Sequence, residues 1–299
     1  MSGVRAALAM GTARLGAAGI ESARLDARVL LAKVTGVGSG EVLTLSRGLT
    51  TAEDAFYETM LARRVLREPL AYITGSKEFW SLDFEVGPGV LIPRPDTETL
   101  IEETLKEFPD RTARLRILDL GTGSGCLLVT ALTLYPNATG TGIDRSEAAL
   151  AWARRNSLRF DVSSRCTLRC GDWTAVSGGQ FDLVLTNPPY LATTEMGALG
   201  PELSHEPPEA LESGPEGIEA YRSLGPVISA ILAPEGRVVL EIGAGQSQAV
   251  SAALEAENLE ILRIAPDLSG IPRAVVARAG RGDVSKVPQK TVGKPETSR

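Results

Sequence analysis

The apolar positions along the chain change period twice. Between Val4 and Arg67, Ala, Leu and Val recur at helical spacing in four runs, Val4 to Gly19, Ser22 to Thr35, Gly40 to Ser46 and Thr51 to Arg67, which predicts a helical bundle. Ser76 to Leu91 then alternates as a hairpin does, with Gly87-Pro88-Gly89 as a breaker. A helix is predicted from Asp96 to about Glu107. Beyond it come short apolar runs near 115–120, 138–143, 165–170, 181–186, 236–242, 259–265 and 273–279, separated by helical stretches such as Cys126 to Tyr135. Seven strands alternating with helices predict an α/β, doubly wound, Rossmann-like domain, whose ligands gather at the carboxyl ends of the strands. The expected organisation is a helical domain over 1–75, a linking hairpin over 76–95, the α/β domain over 96–280 and a tail over 281–299. That tail is polar and lacks an apolar face, so it is expected to be disordered.

Chemistry collects at the ends of the predicted strands. The run Phe181 to Thr186 leads into Asn187-Pro188-Pro189-Tyr190. An Asn side-chain oxygen can accept one N–H bond and the Pro188 carbonyl a second. Proline has a fixed φ and no N–H, so the loop presents its carbonyls rather than pairing them. The Tyr190 ring can then cover a flat group, and the four residues make a cradle for a planar nitrogen about to receive a methyl group. A Pro-Pro pair alone would equally suit an ordinary turn. No member of this cradle is a titratable base, and none is needed before transfer, because the nitrogen becomes acidic only after it gains the methyl.

Upstream, the run Leu115 to Leu120, which contains Asp119, leads into Gly121-Thr122-Gly123-Ser124-Gly125. Glycines let the backbone approach a ligand closely in front of a helix N-terminus. A dinucleotide fingerprint would want Gly or Ala where Cys126 stands. The next strand ends in Asp144, about 20 residues on, where a carboxylate can hold two ribose hydroxyls. Asp172 and Trp173 close a third strand and offer an acid and an aromatic edge to an adenine. Together these strand ends point to S-adenosyl-L-methionine. The structural alternatives are that Asp119 only caps the glycine loop and that Asp144 only caps the following helix. Trp152 reads as core packing.

Composition narrows the class. The chain has 299 residues, 43% hydrophobic and 23% charged, enough for two domains, and no apolar run reaches membrane-spanning length. The first twenty residues are poor in acids and carry Arg5 and Arg14, as transit peptides do, yet they read as a regular amphipathic helix. Three cysteines, Cys126, Cys166 and Cys170, make no disulfide framework and suggest reduced thiols in a cytoplasmic protein. With a single histidine, His205, no zinc site is expected. A net charge of −6 gives no overall attraction for nucleic acid.

These residues resemble the HemK-type protein-(glutamine-N5) methyltransferases, which methylate the glutamine of the Gly-Gly-Gln loop in peptide chain release factors. The resemblance covers about residues 4 to 278. Beyond the cradle and the glycine loop it is carried by Ser22 to Ala27, Arg67 to Gly75, Phe79-Trp80, Leu91 to Glu98, His205 to Leu211 with Gly217 and Tyr221-Arg222, and Asp267 to Arg273. It implies a class I S-adenosyl-L-methionine-dependent methyltransferase fold with a small N-terminal substrate-recognition bundle. It also implies S-adenosyl-L-methionine without a metal, release factors as partners, no nucleic acid or membrane, and a monomer. Asn187, Pro188, Pro189 and Tyr190 would act on the substrate, joined by Arg94. Asp119, Gly121, Thr122, Gly123, Ser124, Gly125, Asp144, Asp172, Trp173 and Asn187 would hold the cofactor. Near residue 205 the resemblance puts weight on Glu206-Pro207 rather than on His205. The cradle and glycine loop are shared with enzymes that methylate adenine, so a nucleic-acid N6 methyltransferase is the alternative. For the segment Leu91 to Glu98, which narrows the family, the plain structural reading is a linker stiffened by Pro93 and Pro95, with Arg94 and Glu98 as a surface pair.

Overall fold

In the computed structural model, which describes residues 3–176 and 178–280, the N-terminal helical spacing resolves into α1 (Val4–Ala17), α2 (Ala23–Thr35), α3 (Thr51–Val65) and a short α4 (Leu70–Thr74). Leu15, Leu30, Leu31, Tyr57 and Leu61 bury themselves in one cluster between these helices. The start of α3 is set by a capping box: Thr50 Oγ1 accepts from Glu53 N at 3.2 Å and Glu53 Oε2 accepts from Thr50 N at 2.7 Å. The helix expected over 40–46 is only a 3-10 turn, Val42–Thr44. Gly36, Gly38 and Gly40 precede it, and their backbone entropy disfavours extending so short a helix. The expected tail, 281–299, lies outside the described residues.

The hairpin is shorter than its alternation implied. Strands β1 (Ser76–Phe79) and β2 (Leu82–Glu85) join through Trp80 and Ser81, both at positive φ, the backbone of a tight two-residue hairpin turn. Gly87-Pro88-Gly89 ends the ladder, and Val86, Val90 and Ile92 continue as buried loop. Trp152 packs on that loop, with Nε1 donating to the Pro88 carbonyl at 3.3 Å. It is a packing residue, as its position suggested.

After a 3-10 turn (Pro95–Thr97) and α5 (Glu98–Glu107), the chain builds β3 (Arg116–Leu120), α6 (Cys126–Leu134), β4 (Thr139–Asp144), α7 (Glu147–Arg159), β5 (Cys166–Cys170) and β6 (Phe181–Thr186). There follow α8 (Glu219–Ile231), β7 (Leu232–Glu241), α9 (Ser247–Glu255), β8 (Leu259–Pro266) and β9 (Pro272–Ala279). The sheet order is β5-β4-β3-β6-β7-β9-β8, parallel except for β9, which runs antiparallel to both neighbours. The expected seven-stranded, doubly wound sheet is therefore present, with a mixed edge. Its core strands are buried on both faces: Ile117, Leu183, Leu185 and Val239 enter one layer, while Leu118, Val184, Val238 and Leu240 enter the other. The chain reverses its winding between β3 and β6, which opens a crevice at their carboxyl ends. Among the described residues no helix is long and apolar enough to cross a membrane.

Candidate active site

The crevice is floored by the turn between β3 and α6. Gly125 is the N-cap of α6 in the left-handed region, at φ 80°, and a Cβ there would lie 3.3 Å from that of Ala153. Gly123, at φ 54°, donates its N–H to Asp144 Oδ2 at 2.8 Å, so the acid ending β4 anchors the loop that follows β3. Asp144 Oδ1 accepts from Ser146 N at 2.9 Å, but the cap of α7 is Ser146 itself, whose Oγ accepts from Ala149 N. Asp119 is 1% exposed; its Oδ2 accepts from Thr122 Oγ1 at 2.7 Å, while its Oδ1 is buried without a partner. Burial, followed by the charge of Asp144, pushes Asp119 up to about 7 against the pull of the Thr122 hydroxyl. At the end of β5, Asp172 is held below the usual carboxylate range by the hydroxyl and amide of Thr174. Trp173 is fixed beside it by a 3.0 Å bond from Nε1 to Ser223 Oγ.

One cavity brings most of the expected residues together. Gly121, Thr122, Gly123, Ser124, Asp144, Asp172, Trp173, Arg94, Asn187 and Pro189 all line it. Asp119, Gly125, Pro188 and Tyr190 stand outside that lining, Asp119 buried near the end of β3 and Gly125 at the N-cap of α6. Tyr190 is anchored instead by flanking loops and the core: its N donates to the Leu211 carbonyl, Gln246 Nε2 donates to its own carbonyl at 2.8 Å, and its ring packs against the layer containing Leu240. Burial, then the neighbouring Glu241, pushes its hydroxyl up to about 12.

Asn187 follows directly on the register pair Thr186↔Leu240, so the residue beside it on β7 is Glu241. Its Nδ2 donates to Thr97 Oγ1 at 3.2 Å, and Thr97 Oγ1 donates to Glu241 Oε2 at 2.5 Å. Glu241 is 1% exposed, and burial pushes it up to about 7 although Thr97 and Arg273 pull the other way. The cradle thus has a titratable neighbour after all. Nothing near residue 187 announces it; the available signal was an acid at or next to the end of an apolar strand, as Asp119 and Asp144 also are.

Arg94 pairs with Glu206 at 2.6 Å rather than with Glu98, which instead accepts from Trp80 N. Glu206 is buried because it also accepts from Ile92 N at 2.9 Å, tying the loop after the cradle to the segment before α5. Nearby, Glu202 receives Arg64 and Arg67, each at 3.0 Å, and Arg64 reaches on to Asp26 at 2.8 Å inside the helical bundle. A second groove runs between α2, α4 and this loop, and Pro93 and Arg94 line both it and the first cavity.

Comparison with known proteins places the chain in a family. The family model of the PrmC N-terminal domain matches residues 6–75, and that of the methyltransferase small domain matches 96–217. A release factor glutamine methyltransferase from Caulobacter vibrioides is 44% identical over 266 residues, covering 88% of this chain and 92% of that protein. One of the same name from Rhodospirillum rubrum is 42% identical over 270 residues, covering 90% and 82%. Among solved structures, a methyltransferase from Pyrococcus furiosus superposes with a TM-score of 0.50 at 19% identity, covering 75% of this chain and 99% of that one, a likeness of fold alone. With relatives this similar across nearly their whole length, the chain belongs to the release factor glutamine methyltransferase family.

Proposed function

We propose that this protein transfers a methyl group from S-adenosyl-L-methionine to the side-chain amide nitrogen (N5) of the glutamine in the Gly-Gly-Gln loop of peptide chain release factors, supporting translation termination. The observation that carries the reading is the state of Asn187: its NH2 is committed to Thr97, so the branch left to accept from a ligand in the cavity is Oδ1. An amide substrate offers two N–H groups, which Asn187 Oδ1 and the Pro188 carbonyl accept. Pulling on both hydrogens returns electron density to a nitrogen whose lone pair is otherwise delocalised into its carbonyl. Holding that nitrogen in line with the methyl supplies much of the acceleration, since effective molarities reach about 10⁵ M or more in well-oriented pairs.

The donor end of the cavity suits a cationic nucleoside. Carboxylates stand at or within two residues of the ends of three successive strands there, Asp119, Asp144 and Asp172, and Asp119 Oδ1 is an orphaned buried acceptor. Asp144 holds the ribose, Asp172 and Trp173 receive the adenine, and the loop Gly121 to Gly125 passes close beneath. S-adenosyl-L-methionine supplies the electrophilic methyl when bound, and no metal is assigned. Pro189 and Tyr190 shape the cradle, and Arg94, held by Glu206, stands where the cavity meets the groove.

That groove favours a protein substrate. It is walled by the bundle on one side and by the segment around Arg94 on the other, so a loop inserted at the cradle would bring its parent domain against 1–75, the assigned recognition domain. Residues 76–95 link it to the catalytic domain, 96–280. The enzyme is assigned as a cytoplasmic monomer.

Methyl transfer from labelled S-adenosyl-L-methionine to a purified release factor, beside its Gln-to-Ala loop variant and duplex DNA, tests the assignment. Label on the wild-type factor alone is expected. Label on DNA, or equal label on the Gln-to-Ala variant, overturns the substrate.

A further inference from the structure

Three groups far apart in sequence meet behind the cradle. Thr97 comes from the turn before α5, Asn187 from the end of β6 and Glu241 from the end of β7; Thr97 and Glu241 are 2% and 1% exposed. A side-chain amide is nearly symmetric in shape, so a half-turn about its last bond exchanges oxygen and nitrogen at almost no steric cost. The chemical cost is large: the flipped form aims N–H at a substrate that itself has only N–H to offer at that point. Something must hold the amide one way round.

We propose that Glu241 and Thr97 form a positioning pair for Asn187: the Thr97 hydroxyl is held as a donor to Glu241, its oxygen must therefore accept from Asn187 Nδ2, and Oδ1 is thereby presented to the substrate. The inference rests on the reading that Asn187 receives a substrate amide. A hydroxyl has one proton, and when Glu241 is ionised the 2.5 Å contact to its Oε2, which can then only accept, directs that proton there. The 3.2 Å contact from Asn187 then has only one workable polarity. Glu241 lies within electrostatic reach of groups on several other elements. Arg273 of β9 and Asp96 of the turn before α5 act on its charge, and the phenols of Tyr190 and Tyr221 and the thiol of Cys126 feel it. Arg273 also bonds Asp96, Asp267 and the Ile242 carbonyl, so it does not depend on Glu241 alone. Burying a carboxyl is costly, so packing alone does not account for an acid at 241.

Three variants separate positioning from mere packing. Thr97→Val keeps the shape and removes the relay, Thr97→Ser keeps the hydroxyl, and Glu241→Leu removes the acceptor that orients it. The readouts are kcat and KM with a release factor, cofactor affinity by calorimetry, thermal stability, and solvent exchange of the 15N-labelled Asn187 side-chain amide. We expect kcat of Thr97→Val to fall roughly 10- to 100-fold, as when outer partners of a site ligand are lost, with KM and cofactor affinity nearly unchanged. Thr97→Ser should recover most of the rate. Glu241→Leu should lose rate while melting at or near the wild-type temperature. In Thr97→Val the Asn187 amide should exchange faster than in the wild type. An unchanged kcat in Thr97→Val, a deficit that lies in cofactor affinity, a Glu241→Leu protein whose rate loss merely follows unfolding, or unaltered amide exchange would each overturn the pair. The exchange measurement needs no substrate, so a wild-type protein that fails to label release factor would sink the substrate assignment and leave the relay still judged.

Discussion

Asp119 offers a direct test of how the cavity handles charge. Its carboxyl is pushed up to about 7 by burial and by Asp144, and one of its oxygens lacks a partner. A cationic ligand entering above it should restore the charged form, since an opposite charge within a few ångströms lowers a carboxyl pKa by about 1–3 units. Binding of S-adenosyl-L-methionine should therefore release a proton. With a starting value of about 7, Asp119 is about 0.9 protonated at pH 6, about 0.5 at pH 7 and about 0.1 at pH 8, which bounds the release at each pH. The count is read by titration calorimetry in two buffers of different ionisation enthalpy. The ligand's own amino group also exchanges protons, so the informative quantity is the difference between the wild type and Asp119→Asn, a variant that can still accept from Thr122. A difference of about 0.4 to 0.9 proton at pH 6, falling to about 0.1 or less by pH 8, is expected. No difference at pH 6 would refute the account, and either the elevated carboxyl or its nearness to the ligand's charge would have to be abandoned.

Other consequences follow from the same geometry. Asn187→Ala should lower kcat by roughly 10²–10³, the cost of one hydrogen bond made in the transition state, while cofactor affinity holds; a variant that lost only affinity would contradict its role. The ligand-free protein should lose stability as pH rises. Asp119 and Glu241 bind more protons folded than unfolded, so their contribution is complete below their ordinary values near 4 and is lost as pH passes through about 7. Each is worth on the order of 3 kcal/mol at full effect, and a melting temperature that rose from pH 6 to pH 8 would count against it. In the bundle, Arg64→Met strands Asp26 as an unpaired buried acid and should cost about 3–5 kcal/mol in denaturant unfolding; a change under about 1 kcal/mol would mean that Asp26 finds other partners.

The parts of the candidate site that could be read in advance are those made by neighbours in sequence. Gly121 to Gly125, Asp144, Asp172-Trp173 and Asn187 to Tyr190 each follow an apolar run, and a parallel sheet gathers strand ends at one edge. That Asp119 sits buried near the end of β3 rather than in the cavity wall was not legible, because alternation along β3 tells which layer a residue faces and not what covers it. The surface pair of Arg94 with Glu98 was misjudged for a similar reason: Arg94 finds its partner 112 residues away, at Glu206.

Sequence alone determined the periodicities, the strand and helix order, the glycine turn and the cradle tetrapeptide, because each follows from backbone sterics and the burial pattern of a few consecutive residues. It overstated the segment 40–46 and the hairpin, where glycines outweighed apolar spacing. Tertiary structure alone decided that Thr97, Asn187 and Glu241 form one hydrogen-bonded line. Their meeting depends on the register of β6 against β7 and on how the turn before α5 crosses both, which are properties of packed layers rather than of any single run of residues.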